Sequence, residues 1–535
     1  MHSDKSMKKA TTGALSMALA LSFLPVQLPV MAQTKPATPT QAKGSQLNTV
    51  DIRKKDADLP AKENVAPAQA PSAVEVFRKN APNVPAPRPF NLPTVDSYKL
   101  DNGLKVELVS DSRFPFVTTA LAIKAGSALE GQEKLGLADM TADMLVEGTK
   151  DKSSKQIADE VDFIGGALRA SSDYDYTILS GSSLSKYTDR LFKVFADTLF
   201  NPTFPEDELT LKKTNLIQSL SMRRSEPGFL AEERFHKVIF GNHPYSVVAP
   251  TPATVHAITR DDLQKFHDEH YLPNESVLVV VGDFDKAKMK ETIASEFSAW
   301  KSGTMPVVQQ AQVPAQHGRK IYLVNRPGSV QSSIRVGNLS VDRKDPNFFP
   351  MLVANQILGG AAGARLFLNI REQKGFTYGA YSNMGALKQP GAFVAEADVR
   401  TDVTAASLEE FLYELDRLRN IKPSDKELKN AKNYLAGSFQ LGLETQAGLA
   451  QRLLDVDVYE LPSDYLQTYA DKITAVSADD VRRVARKMVD YDNIVIAVVG
   501  DAKKIEKDLE FFAPVEVYDT TGALSTDWQN QNSGG

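Results

Sequence analysis

Residues 359–381 read GGAAGARLFLNIREQKGFTYGAY, and the rest of the chain is organised around this stretch. A glycine-rich loop leads into a helical pattern in which Leu366, Phe367 and Ile370 form an inward-facing apolar stripe. Gly375 follows a lysine and predicts the end of the helix, because glycine adopts the left-handed cap conformation without strain. The residues that follow, FTYGAYS, predict a strand.

Arg371 and Tyr378 lie seven residues apart, on either side of the predicted turn. A guanidinium group and a phenolic hydroxyl are both donors, suited to holding a peptide carbonyl oxygen and the negative charge that develops on it during hydrolysis. Neither group hydrolyses a peptide alone. The alternative is structural, with Arg371 paired to a nearby carboxylate and Tyr378 packed in the core.

The segment RLFLNIREQKGFTY resembles the C-terminal-half signature of the pitrilysin and insulinase family of zinc peptidases, which includes the mitochondrial processing peptidase. The resemblance covers nearly all of residues 92–516 and includes FNPTFPEDEL, GNHPYS and YLPNESVLVVVGDF. It implies that Arg371 and Tyr378 contribute to substrate binding and transition-state support, as the matching residues do in the family.

The first 32 residues predict a secretory signal peptide, because Lys8 and Lys9 precede a short apolar run and then small residues. We expect cleavage after Ala32, followed by a disordered linker over residues 33–91, where large apolar side chains are few. The chain has no cysteine, which excludes a disulfide framework and a lipid-anchored cysteine. An exported, cysteine-free protein indicates the bacterial periplasm.

The remaining chain contains an internal repeat. ITRDDLQKFHDEHYLPNESVLVVVGDF and VSADDVRRVARKMVDYDNIVIAVVGDA align without a gap, with Asp261 on Asp479 and a shift of 218 residues. Each copy predicts an amphipathic helix followed by a strand. The predicted segments are an N-terminal half at 92–300, an interdomain linker at 301–317, a C-terminal half at 318–516 and a tail at 517–535.

The repeat and the resemblance together predict an α+β fold. We expect two homologous α/β-sandwich halves, each an antiparallel-rich sheet with helices packed on it. In the family, a chain of this length forms half of a clamshell, and two such chains close around a chamber.

The segment GLADMTADMLVEGT, residues 136–149, resembles the stretch where family members carry the zinc motif HxxEH. That motif supplies two histidine ligands on one helix face and a glutamate that deprotonates the metal-bound water. Here the three positions hold Asp139, Ala142 and Asp143. Both imidazoles and the base are therefore absent from this degenerate motif.

The resemblance places the family's third ligand, a glutamate, near Ser219 or Leu220, and neither residue is acidic. We therefore expect this chain to bind no metal and zinc to lie in a partner subunit. Two alternatives stay open: the two aspartates of the degenerate motif as ligands of a harder cation such as calcium, and His267 with His270 as ligands on one helix. A solvated helix face is the simpler interpretation of the aspartates, and we expect the histidines to line a helix surface.

Arg371 and Tyr378 are present although the zinc motif is lost, and this combination predicts a heterodimer. We expect a non-catalytic but activity-requiring subunit of a periplasmic zinc endopeptidase that degrades unfolded peptides or small proteins, with zinc supplied by an HxxEH-bearing homologous partner. The alternatives are a peptide-binding or assembly-scaffold protein of the same fold, and an autonomous peptidase with an unrecognised site. A net charge of −5, without a basic stripe or second apolar segment, indicates neither nucleic-acid nor membrane binding.

Overall fold

The computed structural model describes residues 92–525 of the 535-residue chain. The predicted signal peptide and the linker up to residue 91 lie outside the described residues, as do residues 526–535 of the predicted tail. Within the described part, none of the helices combines the length and the apolar character that crossing a lipid bilayer requires.

The first sheet is built from residues in the N-terminal half of the described chain. Its strands are β1 (Asp96–Lys99), β2 (Lys105–Ser110), β3 (Phe116–Ile123), β4 (Ala167–Ser172), β5 (Thr177–Leu184) and β6 (Ser276–Gly282). They lie in the order β1-β2-β6-β3-β5-β4. Only β2 and β6 pair in parallel, and the other neighbours are antiparallel. Strand β6 is buried along its whole length, as its continuous run of valine and leucine side chains from Val277 to Val281 requires.

Helices accompany this sheet, and several begin at a side-chain cap. Ser153, Thr251 and Thr259 each form a capping box, in which the cap hydroxyl accepts a hydrogen bond from the third backbone N–H of the helix. The helices are α1 (Leu137–Met144), α2 (Ser154–Phe163), α3 (Thr188–Phe200), α4 (Glu206–Arg223), α5 (Pro227–Phe240), α6 (Pro252–Ala257), α7 (Arg260–His270) and α8 (Lys286–Phe297).

The second sheet comes from the C-terminal half. Its strands are β7 (Lys320–Asn325), β8 (Gln331–Leu339), β9 (Thr377–Ala386), β10 (Pro390–Arg400), β11 (Val495–Gly500) and β12 (Val515–Tyr518). They lie in the order β12-β7-β11-β8-β10-β9. Apart from the edge strands β1 and β12, this is the strand order of the first sheet. Edge strand β12 extends into the segment predicted as a tail.

The helices of the C-terminal half follow the same pattern. They are α9 (Phe348–Leu358), α10 (Thr404–Asn420), α11 (Asp425–Gly442), α12 (Gln446–Val458), α13 (Tyr465–Ala475), α14 (Ala478–Met488) and α15 (Ala502–Leu509), with a π-helix at Phe367–Gln373. Two mixed but mainly antiparallel sheets with helices packed on them confirm the predicted α+β fold.

The two halves exchange helices, in the sense that one helix of each half packs on the sheet of the other half. Helix α5 of the N-terminal half packs on β8 and β11 of the second sheet, where Leu230 lies in one hydrophobic cluster with Val499. Helix α12 of the C-terminal half packs on β3 and β6 of the first sheet, where Leu453 lies in one cluster with Val279. Each sheet therefore has part of its apolar face covered by a helix from the other half.

Candidate functional site

The stretch around Arg371 folds largely as its sequence predicts. Leu366 and Ile370 are fully buried, and Gly375 has a φ of 64°, the left-handed conformation predicted at the helix end. Strand β9 begins two residues later at Thr377. Phe367 differs from the prediction, because its ring is only half-buried and packs 5.6 Å from the ring of Tyr381.

The helix that carries Arg371 is wound as a π-helix, and a buried polar group accompanies this winding. The side-chain amide of Asn369 donates hydrogen bonds to Glu410 at 2.9 Å and Glu414 at 3.0 Å, both on α10. Burial raises the pKa of Glu414, and Lys374 lies 2.6 Å from Glu410. These contacts fix the helix end on α10. These contacts were not predicted, and the only sign of them in the sequence is the spacing of four residues between Glu410 and Glu414.

Arg371 and Tyr378 flank the same turn but do not contact each other through a hydrogen bond. The Arg371 guanidinium lies 2.5 Å from the Glu372 carboxylate and 5.5 Å from the ring of Phe367. The side chain of Tyr378 is 89% exposed, and its hydroxyl has no hydrogen-bond partner within residues 92–525. The structural alternative is therefore wrong for Tyr378, which is not in the core, whereas Arg371 does pair with a carboxylate.

A β-bulge accompanies the exposed position of Tyr378. Ala380 pairs with Ala397, whereas Thr377 pairs with Val399, so β9 has one extra residue in this interval. The Thr377 hydroxyl donates to the Asp398 carbonyl at 2.6 Å and accepts from the Gly379 N–H at 3.1 Å, which fixes the bulge. Bulges re-aim side chains away from the regular alternation of a strand. The phenol thus lies free at a rigid corner of the second sheet.

The degenerate zinc motif lies on α1, at the side of edge strand β4. Asp139 and Asp143 are one helical turn apart, and the Asp139 carboxylate accepts a hydrogen bond from the Ser172 N–H at the end of β4. Ala142 is fully buried.

The ammonium group of Lys212, on α4, faces Asp139 and Asp143 and lies 2.9 Å from the Glu147 carboxylate. We call Asp139, Asp143, Glu147 and Lys212 the acid–lysine cluster. Burial raises the pKa of Asp143 to about 6, and the neighbouring Asp139 charge adds to this. The Asp139 carboxylate reaches solvent, but surrounding protein displaces much of its water and raises its pKa. Burial alone lowers the pKa of Lys212, but the carboxylates of Glu147 and Asp143 outweigh it and raise that pKa.

The acid–lysine cluster does not fit zinc. Ser219 and Leu220, the two positions near the family's third ligand, carry no acid, and Leu220 is buried in α4. The described residues contain no group of three or more metal-ligating side chains. An ammonium group occupies the neighbourhood of the two aspartates, and Zn²⁺ prefers neutral imidazole and thiolate ligands. Sequence reasoning missed Lys212, although its spacing of seven residues from Ser219 places both on one face of α4.

The histidines that were weighed as metal ligands are bound to the backbone. The Nε2 atom of His267 lies 2.8 Å from the Leu199 carbonyl, and the Nδ1 atom of His270 lies 3.0 Å from the Phe266 carbonyl. Both side chains are buried, so their assignment to a helix surface is wrong. The physical reason is packing, since the His270 ring stacks 4.5 Å from the ring of Phe266.

Replacing Lys212 with Met tests whether the lysine neutralises the cluster. We expect a loss of about 1–2 kcal/mol in unfolding free energy at pH 8, because Asp143 and Glu147 then lie close together without a cation. The pKa of Asp143 is about 6 in the folded protein, above its unfolded value, so its contribution is present at low pH and is lost as the pH rises through 6. Without the cation this pKa rises further, so the deficit of the variant grows between pH 5 and pH 8.

Urea unfolding at pH 5 and pH 8 measures this difference. Lys213→Met is the matched control, because Lys213 is the next residue on α4 but its ammonium donates to the Ile258 carbonyl instead of to the cluster. A Lys212→Met deficit that is equal at both pH values would show that the lysine acts through packing alone.

Comparisons with known proteins extend these observations. The profile described as "Insulinase (Peptidase family M16)" matches residues 105–251, and the profile described as "Peptidase M16 inactive domain" matches residues 257–435. Together the two matches cover more than half of the chain. The first contains the degenerate motif on α1, and the second contains Arg371 and Tyr378.

Relatives and solved structures agree with these matches. The "Uncharacterized zinc protease YmxG" of Bacillus subtilis (strain 168) is 24% identical over 411 residues, covering 76% of this chain and 99% of YmxG. The "Uncharacterized zinc protease SCO5738" of Streptomyces coelicolor is 26% identical over 404 residues, covering 74% and 87%. The crystal structure of a peptidase M16 inactive domain from Pseudomonas fluorescens superposes with a TM-score of 0.71 at 28% identity, covering 76% of this chain and 98% of the other.

Proposed function

The chain belongs to the insulinase-type peptidase family M16, and we propose that it acts as a non-catalytic but activity-requiring subunit of a heterodimeric zinc endopeptidase. Its substrates are unfolded peptides or small proteins. The partner is a homologous chain with an intact HxxEH motif, which supplies the zinc, both histidine ligands, the distal glutamate and the general base. This chain contributes Arg371 and Tyr378 to the substrate at that zinc.

One observation carries the proposal: Tyr378 is 89% exposed and its hydroxyl is unpaired within the described residues, yet its backbone is fixed by a bulge. A buried or paired phenol is unavailable to a substrate, whereas a preorganised free donor can stabilise a developing oxyanion. Leaving a large aromatic ring in water contributes nothing to the stability of this chain alone. The exposure of Tyr378 is accounted for if its hydroxyl donates a hydrogen bond to a bound substrate.

The residues of α1 support the proposal that the zinc site lies in the partner chain and not in this one. Asp139 and Asp143 face the ammonium group of Lys212, and Ala142 provides no base. No hydrogen bond or ion pair of the described residues joins the acid–lysine cluster to Arg371 or Tyr378. The acid–lysine cluster lies in the N-terminal half, whereas Arg371 and Tyr378 lie in the C-terminal half.

The predicted signal peptide extends the proposal to location. A cleaved N-terminal segment would deliver the chain to the periplasm, where the proposed substrates are unfolded peptides or small proteins. The absence of cysteine from the sequence is compatible with an oxidising compartment, because no thiol is available for unwanted disulfide formation.

A second candidate is a peptide-binding or assembly-scaffold protein of the same fold without a proteolytic role. The pairing of Arg371 with Glu372 at 2.5 Å favours it, because a neutralised guanidinium is a weaker anchor for a developing negative charge. That ion pair is exposed, however, and exposed pairs contribute only about 0–1 kcal/mol, so a substrate can displace it.

A peptidase assay on each subunit separately and on the mixture distinguishes the candidates. Activity that requires both chains supports the heterodimer. Activity of the partner alone that this chain leaves unchanged supports the scaffold. An HxxEH-bearing homologue encoded beside this gene is the partner of first choice.

A further inference from the structure

A recess on the C-terminal half lies away from Arg371, Tyr378 and the acid–lysine cluster. It has a volume of about 680 Å³ and lies between the loop before α9, the first turn of α9 and helix α13. Volumes of 300–1,000 Å³ are typical of small-molecule sites. Pro346, Pro350 and Pro462 line the recess and restrict its backbone, so its shape is largely preformed.

Aromatic rings form the wall of this recess. Phe348 and Tyr465 are each 4% exposed, and the half-buried ring of Phe349 lies 5.8 Å from that of Tyr465. Flat rings of this kind bind a planar apolar group through stacking or edge contacts.

Two cations stand over these rings without an ion-pair partner in residues 92–525. The Arg343 guanidinium carbon lies 4.2 Å from the centroid of the Phe348 ring and 5.3 Å from that of Tyr465. The Lys472 ammonium lies 5.5 Å from the Phe349 centroid and 5.8 Å from that of Tyr465. Both cationic groups therefore lie over the same aromatic ring, that of Tyr465.

The other charges that line the recess are neutralised. Each of its carboxylates has a basic partner, so the two free cations give the recess an uncompensated positive charge. The ion pairs are Lys344 with Glu460 at 2.5 Å, Arg483 with Asp480 at 3.1 Å, and Asp345 with Lys487 at 3.3 Å.

We propose that this recess binds a small organic anion, a carboxylate carried on a flat aromatic or apolar body. The body lies against Phe349 and Tyr465, and the carboxylate lies between Arg343 and Lys472. The guanidinium fork matches the two oxygens of a carboxylate, and the ammonium adds a point charge from the other side. The backbone N–H of Arg343 donates to the Leu387 carbonyl at 2.9 Å and anchors the loop that presents the guanidinium. This binding goes beyond the proposed peptidase function and does not depend on it.

Titration of the full chain with 2-naphthoate, followed calorimetrically, tests the proposal. We expect saturable binding at one site that is at least about tenfold tighter than binding of the neutral 2-naphthamide, because a charge-assisted bond is lost in the amide. We expect Arg343→Gln and Lys472→Gln each to weaken naphthoate binding about tenfold.

Lys344→Gln is the matched control, because Lys344 lines the same recess but is already paired with Glu460. We expect it to change the affinity less than twofold, roughly the effect of a screened rim charge. Melting temperatures of the variants verify folding, and Lys472→Gln carries the test if Arg343→Gln unfolds. Absence of saturable naphthoate binding, equal binding of the amide, or an equal loss in Lys344→Gln would each overturn the proposal.

Discussion

Tyr378→Phe and Arg371→Lys are each expected to lower the turnover of the mixed complex at least about tenfold, without weakening subunit association. Tyr378→Phe removes one hydroxyl donor and leaves the ring, whereas Arg371→Lys replaces a planar fork with a point charge. Losing one preorganised donor to a developing oxyanion typically costs about 3–4 kcal/mol, or 100- to 1000-fold in turnover. Because Tyr378 is 89% exposed, its hydroxyl contributes little to folding, and the melting temperature should stay unchanged.

Turnover, Michaelis constant and melting temperature are measured on the same preparations. Tyr434→Phe is the control, because Tyr434 is also an exposed tyrosine of the second half but lies on α11 and not on the turn between Arg371 and Tyr378. A loss that appears only in the Michaelis constant would assign the pair to ground-state binding. A lower melting temperature with normal turnover of the surviving complex would favour the scaffold function.

Separating the two halves is expected to abolish cooperative folding of both. A fragment of residues 92–300 lacks α12 and exposes the apolar face of β3 and β6, including Val279. A fragment of residues 318–525 lacks α5 and exposes Val499 on β11. Exposed apolar surface of this kind removes the dominant favourable contribution to folding.

Urea unfolding of each fragment, monitored by near-ultraviolet circular dichroism, measures the effect. We expect no sigmoidal transition from either fragment alone and a recovered transition when the two are refolded together. Lys105 contributes to the same interface, because its ammonium lies 2.5 Å from Asp457 of α12 and 2.8 Å from Glu107 of β2. Fragments that unfold cooperatively on their own, near the midpoint of the intact chain, would contradict this role of the exchanged helices.

Local patterns predicted much of the fold because they depend on near neighbours. The glycine after Lys374, the buried Leu366 and Ile370, and the strand beginning at Thr377 all follow from periodicity and backbone preference. No local pattern indicates that α12 covers the first sheet or that α5 covers the second, because an amphipathic helix specifies burial and not its partner.

The candidate site shows the same limit. The sequence identified Arg371 and Tyr378, but the bulge that exposes Tyr378 depends on the register between β9 and β10, which no local pattern specifies. Lys212 was missed because its partners, Asp143 and Glu147, lie far from it in the sequence. The burial of His267 was missed because its packing depends on Phe204 and Tyr271, which its own helix pattern does not reveal.

Zinc content and peptidase turnover, measured on the same samples of this chain, its HxxEH-bearing partner and their mixture, test the central claim most directly. We predict that this chain alone contains no stoichiometric zinc and cleaves no peptide, that the partner carries the zinc, and that turnover appears when the two chains are combined. One zinc per molecule of this chain, or full turnover by the partner in its absence, would contradict the account.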